Sequence, residues 1–148
     1  MTADNPASSN RQRWGMVLKR AEQNLLRAKS AVLKPVGLTL AQYVALSELK
    51  SQPGITGATL ARACLVTPQA MMVVLNAMHD QGFVERRPNP RHANVLELHP
   101  TDVGCEALHA ARQLVEPFER RLDDALPPTD AAVLNELLTR IIDHTEPT

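Results

Sequence analysis

The apolar residues of this chain fall into six helical patterns and two short alternating runs, separated by turn formers. The first pattern runs from Arg11 to Leu33. There Trp14, Leu18, Ala21, Leu25, Ala28 and Val32 alternate spacings of four and three, a seam suited to packing against another helix. Lys34-Pro35-Val36-Gly37 breaks it. Thr39 is placed to cap a second helix, with Gln42 closing a capping box, and Tyr43, Val44 and Leu46 through Leu49 supply its buried side. After Ser51-Gln52-Pro53-Gly54, Ile55 to Leu65 reads as a short third helix capped by Thr56, with Leu60, Ala61 and Cys64 on its inner face.

The most informative stretch is the fourth, from Thr67 to Gly82. Thr67 is a natural N-cap, Pro68 suits the first helical position because it lacks an N–H, and Gly82 offers the left-handed residue that ends a helix. Met71, Val74, Leu75 and Met78 face a core, while Gln69, Met72, Val73 and Asn76 share the opposite side. An outward surface of Gln, Asn, Met and Val is shaped for contact. With the third helix and the turn Leu65-Val66-Thr67 it makes a helix-turn-helix. Phe83 to Arg87 and Asn94 to Leu98 are strand-like, and the intervening Pro88 to Ala93 is a loop of turn formers, so a two-stranded wing with a basic tip follows.

Thr101 caps a fifth helix from Asp102 to about Leu122, in which Pro117 is expected to introduce a kink. A sixth begins near Thr129 after Leu126-Pro127-Pro128. Its Val133, Leu134, Leu137, Leu138, Ile141 and Ile142 form an apolar stripe wider than one small domain needs. That stripe and the first helix point to a two-fold dimer interface. The fold class is therefore mainly α with a small two-stranded β-wing. We expect a disordered tail over residues 1–10 and one domain over 11–148, with a winged helix-turn-helix at about 38–100 and dimerisation helices at about 11–34 and 101–145.

These residues also carry a resemblance. Leu38 to Leu46, Ile55 to Ala63, Asp80-Gln81-Gly82-Phe83-Val84-Glu85-Arg86-Arg87 and Thr101-Asp102-Val103-Gly104, in that order and spacing, resemble the multiple-antibiotic-resistance-regulator (MarR) family, roughly from Trp14 to Ile142. The resemblance implies a winged-helix homodimer on palindromic DNA, released by a small phenolic or lipophilic compound. The chain departs from the family pattern at three places. His92-Ala93 replaces the wing's Asp-Arg pair, Met72-Val73 replaces Thr-Arg on the recognition helix, and Pro100 replaces a Leu before Thr101. Arg91 is the nearest substitute for the missing wing arginine.

At 148 residues one domain is expected, long enough to bury a core. No apolar run approaches a membrane span and the first ten residues are not a signal sequence, so a cytoplasmic location is expected. Two cysteines make no disulfide framework. Net charge is zero but segregated. Residues 1–100 carry 12 Lys and Arg against 6 Asp and Glu, and residues 101–148 carry 4 against 10. One part of the surface can therefore attract phosphate while another does not.

As a nucleic-acid reader, the fourth helix would enter the major groove by its N-terminal end. Gln69 and Asn76 can pair bidentately with adenine, and Met72 and Val73 can pack on thymine methyl groups. No Lys or Arg occurs between Thr67 and Glu85, so phosphate contacts fall to Arg86, Arg87, Arg91 and His92, with hydroxyl or backbone donors at Thr39, Thr56 and Thr67. From the resemblance, an effector pocket is expected between the first, second and fifth helices, with Trp14, Tyr43 and His109 as candidates. Competing readings are a metal- or thiol-sensing regulator and a winged-helix protein-interaction module. Cys105 and His109, four apart on one helix face near His99 and Asp102, are the candidate metal ligands, although the first helix offers no obvious set to complete the shell. No catalytic signature and no glycine-rich phosphate loop occurs, and neither an enzyme nor a cofactor is expected.

Overall fold

A computed structural model describes the backbone of residues 6–145 and the side chains of 14–145. The chain runs α1 (Pro6–Leu33), a single 3-10 turn at Lys34–Val36, α2 (Leu40–Ser51), α3 (Gly57–Ala63), α4 (Pro68–Asp80), β1 (Val84–Pro88), β2 (Leu96–Pro100), α5 (Asp102–Asp123) and α6 (Pro128–Thr145). The helix α1 opens five residues before the expected Arg11, so Pro6 to Asn10 are helical rather than part of a disordered tail; residues 1–5 lie outside the described ones.

Four threonines start four helices. Thr39, Thr56, Thr67 and Thr101 are all extended, and each hydroxyl oxygen accepts a backbone N–H of the first turn. Thr39 and Gln42 close a reciprocal capping box, as their spacing predicted. The strands pair antiparallel, with Val84 opposite Pro100 and Arg86 opposite Leu98. They begin one or two residues later than expected. Asn89 N–H bonds the Val95 carbonyl, and Val95 N–H bonds the His92 carbonyl, so Val95 belongs to the loop. The far edge of β2 is met by the segment before α3, where Gly54 N–H bonds Leu98 O and Leu98 N–H bonds Ile55 O.

The core lies where α2, α3, α4, α5 and the base of the wing converge. Leu46, Leu49, Leu60, Met78 and Leu108 are fully buried there. On α2 the buried stripe is Gln42, Ala45, Leu46 and Leu49; Tyr43 and Val44, expected inside, are only half-buried. The α2 stripe thus includes a polar side chain, which periodicity of apolar residues cannot reveal. α5 packs against both α1 and α2 through Leu108, Ala111 and Val115, and Lys29 of α1 pairs with Glu119 of α5. α6 buries none of its own residues. Its stripe and the stretch of α1 from Trp14 to Ala21 line an apolar groove of about 770 Å³.

Candidate nucleic-acid interface

The outward helix is held rigidly from behind. The chain turns through 109° between α3 and α4, within the range of a helix-turn-helix. Small, buried Ala61 permits the approach, while Met71, Leu75 and Met78 enter the core. At the far end Gln42 Nε2 donates to Gln81 Oε1 at 2.7 Å, tying the C-terminus of α4 to α2. What remains outside is the face read from the sequence. Met72 and Val73 are 55% and 70% exposed, and Gln69 and Asn76 are exposed with them. The two apolar residues are therefore not part of the core stripe of α4.

The hydroxyls expected to meet phosphate serve first as caps. Thr39 Oγ1 accepts from Gln42 N and Thr67 Oγ1 from Ala70 N. Capping uses an oxygen lone pair and leaves each hydroxyl hydrogen as a donor. Thr56 differs, because its hydroxyl also shares a 3.1 Å hydrogen bond with the hydroxyl of Thr59.

In the wing, strand alternation puts Val84 and Arg86 on one face and Glu85 and Arg87 on the other. Val84 is buried, so Arg86 is directed along the same side, and its Nη2 donates to Asn76 Oδ1 on α4 at 2.9 Å. Arg87 pairs with Glu85. The tip is organised by Asn89, one of the turn formers between the two strands. Its Oδ1 accepts from the N–H groups of Arg91 and His92 at 2.8 and 2.9 Å, and its Nδ2 donates to Glu97, which also faces His99 Nε2 at 3.2 Å. An Asx turn, in which Asn accepts from backbone two and three residues on, was the available signal. Arg91 and His92 stand exposed at that tip.

The other candidates are scattered. Trp14 lines the groove against α6; neither Tyr43 nor His109 lines that groove. Tyr43 is half-buried against the core, and His109 is exposed with Nε2 at 3.1 Å from Gln113 Nε2. Cys105 Sγ accepts from Lys50 Nζ at 3.6 Å. Among the described residues, no three His, Cys, Asp or Glu side chains are gathered to hold a metal ion. Burial, reinforced by the Glu48 carboxylate, pushes the Cys64 thiol up, which disfavours the reactive thiolate. No described helix is by itself long and apolar enough to cross a membrane.

A recognition helix with an exposed Gln-Met-Val-Asn face, flanked by a two-stranded wing, defines a winged helix-turn-helix module. Comparison with known proteins places it further. Residues 36–93 match the MarR family model. Over 108 residues, 73% of this chain and 78% of the relative, the protein is 46% identical to the HTH-type transcriptional repressor Rv2887 of Mycobacterium tuberculosis. It is also similar to the transcriptional repressor CouR bound to a 23-mer DNA duplex, with a TM-score of 0.82 at 26% identity over 95% of this chain and 99% of that one. For a mutant of Escherichia coli MarR complexed with operator DNA the TM-score is 0.80, at 26% identity over 86% and 91%. The chain belongs to the MarR family of transcriptional regulators.

Proposed function

We propose that the protein is a homodimeric repressor that binds a palindromic operator and loses affinity for it when a small aromatic or lipophilic compound binds. The observation that carries the DNA reading is the outward face of α4. Four contact-capable side chains, Gln69, Met72, Val73 and Asn76, are held exposed on a helix whose other side is locked into the core. Apolar side chains on such a face suit thymine methyl groups, and the amides suit base edges. Arg86, Arg87, Arg91 and His92 supply the charge that the helix lacks, with Thr39, Thr56 and Thr67 as neutral donors. The DNA-bound relatives support this reading.

Dimerisation is supported by the apolar faces of α6 and of α1 from Trp14 to Ala21, which their own chain leaves exposed. In this reading residues 38–100 read DNA, residues 11–34 and 101–145 pair the protomers, and the location is cytoplasmic. Pairing sets the distance between recognition helices, which must be about 34 Å to meet successive major grooves. An effector acts by favouring a different spacing, and it must bind that arrangement more tightly than the DNA-competent one. Rv2887, solved as a complex with p-aminosalicylic acid at 32% identity and a TM-score of 0.66 over 86% of this chain and 96% of that one, supports an aromatic acid as the class.

Gel shifts and footprinting on the DNA upstream of the protein's own coding sequence test the reading. A protected inverted repeat is expected, with affinity reduced about 5–150-fold by an aromatic acid. Absence of protection anywhere in that DNA, with the protein folded, favours the protein-interaction alternative.

A further inference from the structure

The contact between Arg86 and Asn76 joins two residues that the sequence assigned separate tasks on DNA. A guanidinium has only donors, so the amide of Asn76 must present its oxygen to β1. That orientation turns the amide NH2 away from the strand. Bidentate pairing with adenine needs the same oxygen to accept from the base N6 amino group while the amide nitrogen donates to N7. Here the oxygen is already engaged by a cation in a charge-assisted bond, which is stronger than a neutral one. The oxygen keeps a second lone pair, but the guanidinium bound to it repels the partially positive N6 amino group of adenine, whereas the two amide N–H donors stay free.

Resting on the DNA-binding reading above, we propose that Asn76 reads its base chiefly as a donor, with Arg86 as the positioning residue, and that the operator position beneath it is guanine rather than adenine. Guanine presents two adjacent acceptors in the major groove, O6 and N7, to which one NH2 group can donate both hydrogens. Adenine offers one acceptor beside a donor, thymine one acceptor, and cytosine a donor that opposes the amide. Arg86 keeps four N–H groups beyond the one directed to Asn76 and can still meet a phosphate.

The experiment selects binding sites from a random 30-base-pair duplex library with the full-length protein, then measures affinities with each base substituted at each selected position. Asn76→Ala is expected to relax one position per half-site, at which the wild type prefers guanine to adenine by at least about fivefold. Arg86→Met removes the donor and should move that preference toward adenine. Arg86→Lys, which restores a donor, should return it to guanine. Loss of a phosphate contact lowers all affinities alike and cancels in these ratios. Should Arg86→Met bind too weakly, Asn76→Asp serves. It keeps the acceptor for Arg86 but has no donor, so the guanine preference should vanish.

The proposal is overturned if the position relaxed by Asn76→Ala is adenine in the wild type, or if Asn76→Ala relaxes none. It is equally overturned if guanine stays preferred in Arg86→Met or Asn76→Asp. Failure of the wild type to enrich any sequence defeats the DNA-binding reading itself, and this proposal with it.

Discussion

Gly104, in the first turn of α5, lies so close to Phe83 that a β-carbon there would stand 2.1 Å from the Phe83 carbonyl oxygen. The same junction is sewn by Thr101, whose N–H bonds Phe83 O at 3.0 Å and whose hydroxyl donates to Gly82 O. The close approach fixes the start of the wing against the first of the two long C-terminal helices, so the winged helix-turn-helix and those helices meet at a backbone contact with no slack.

Gly104→Ala should therefore destabilise the fold, because the obstacle is backbone that cannot rotate away. Overpacking of this kind costs about 1–3 kcal/mol. Urea unfolding of the two proteins measures it; a difference below about 0.5 kcal/mol, the range of a neutral surface change, would mean that the junction is looser than described.

Leu65 offers the opposite case. It occupies the left-handed region at φ 56° and is 93% exposed in the turn between α3 and α4. A leucine there is strained and its side chain buries nothing. Asn tolerates this conformation, so Leu65→Asn should stabilise the protein by about 1 kcal/mol. Thermal and urea unfolding read this directly, and an unchanged or lowered midpoint contradicts it.

Leu137 and Ile141 line the groove between α1 and α6. Leu137→Glu should abolish dimers while leaving the single chain folded, since α6 buries none of its residues within its own protomer. An uncompensated charge in an interface costs several kcal/mol, so dimer affinity should fall at least about 100-fold. Light scattering with far-UV circular dichroism separates the outcomes. A wild type already monomeric at micromolar concentration removes both the dimer and the palindrome.

Arg87 and Glu85 pair on one face of β1, so phosphate must compete with a carboxylate for Arg87. Arg87→Ala should weaken binding to all sequences alike and lower the salt slope by about one unit. Glu85→Gln should strengthen binding to all of them, by removing both the competitor and a charge that repels the backbone. Titrations on operator and random duplexes at several salt concentrations give both slopes. Equal affinities for Glu85→Gln and wild type would place Arg87 away from the DNA.

Periodicity and punctuation determined most of the architecture. The four threonine caps, Pro68 at the start of α4, Gly82 after its end and the turn formers of the wing each act within a few residues of chain, so local chemistry alone settled where elements begin and end. The outward face of α4 was legible for the same reason: a helix repeats every 3.6 residues, and its apolar stripe left Gln69, Met72, Val73 and Asn76 on the other side. The long-range decisions belonged to the tertiary structure. Only packing could bury the polar Gln42 in the core and tie it to Gln81, because a polar side chain in an apolar stripe is stabilised by a partner 39 residues away. Only the strand pairing and its approach to α4 could bring Arg86 onto Asn76, and only the wing's own fold could make Asn89 the organiser of its tip. Trp14, Tyr43 and His109 were grouped by resemblance; helix placement put Trp14 in the groove that α6 also lines and left the other two out of it. Such contacts depend on side chains converging from distant segments, and the spacing of residues along one segment carries no information about them.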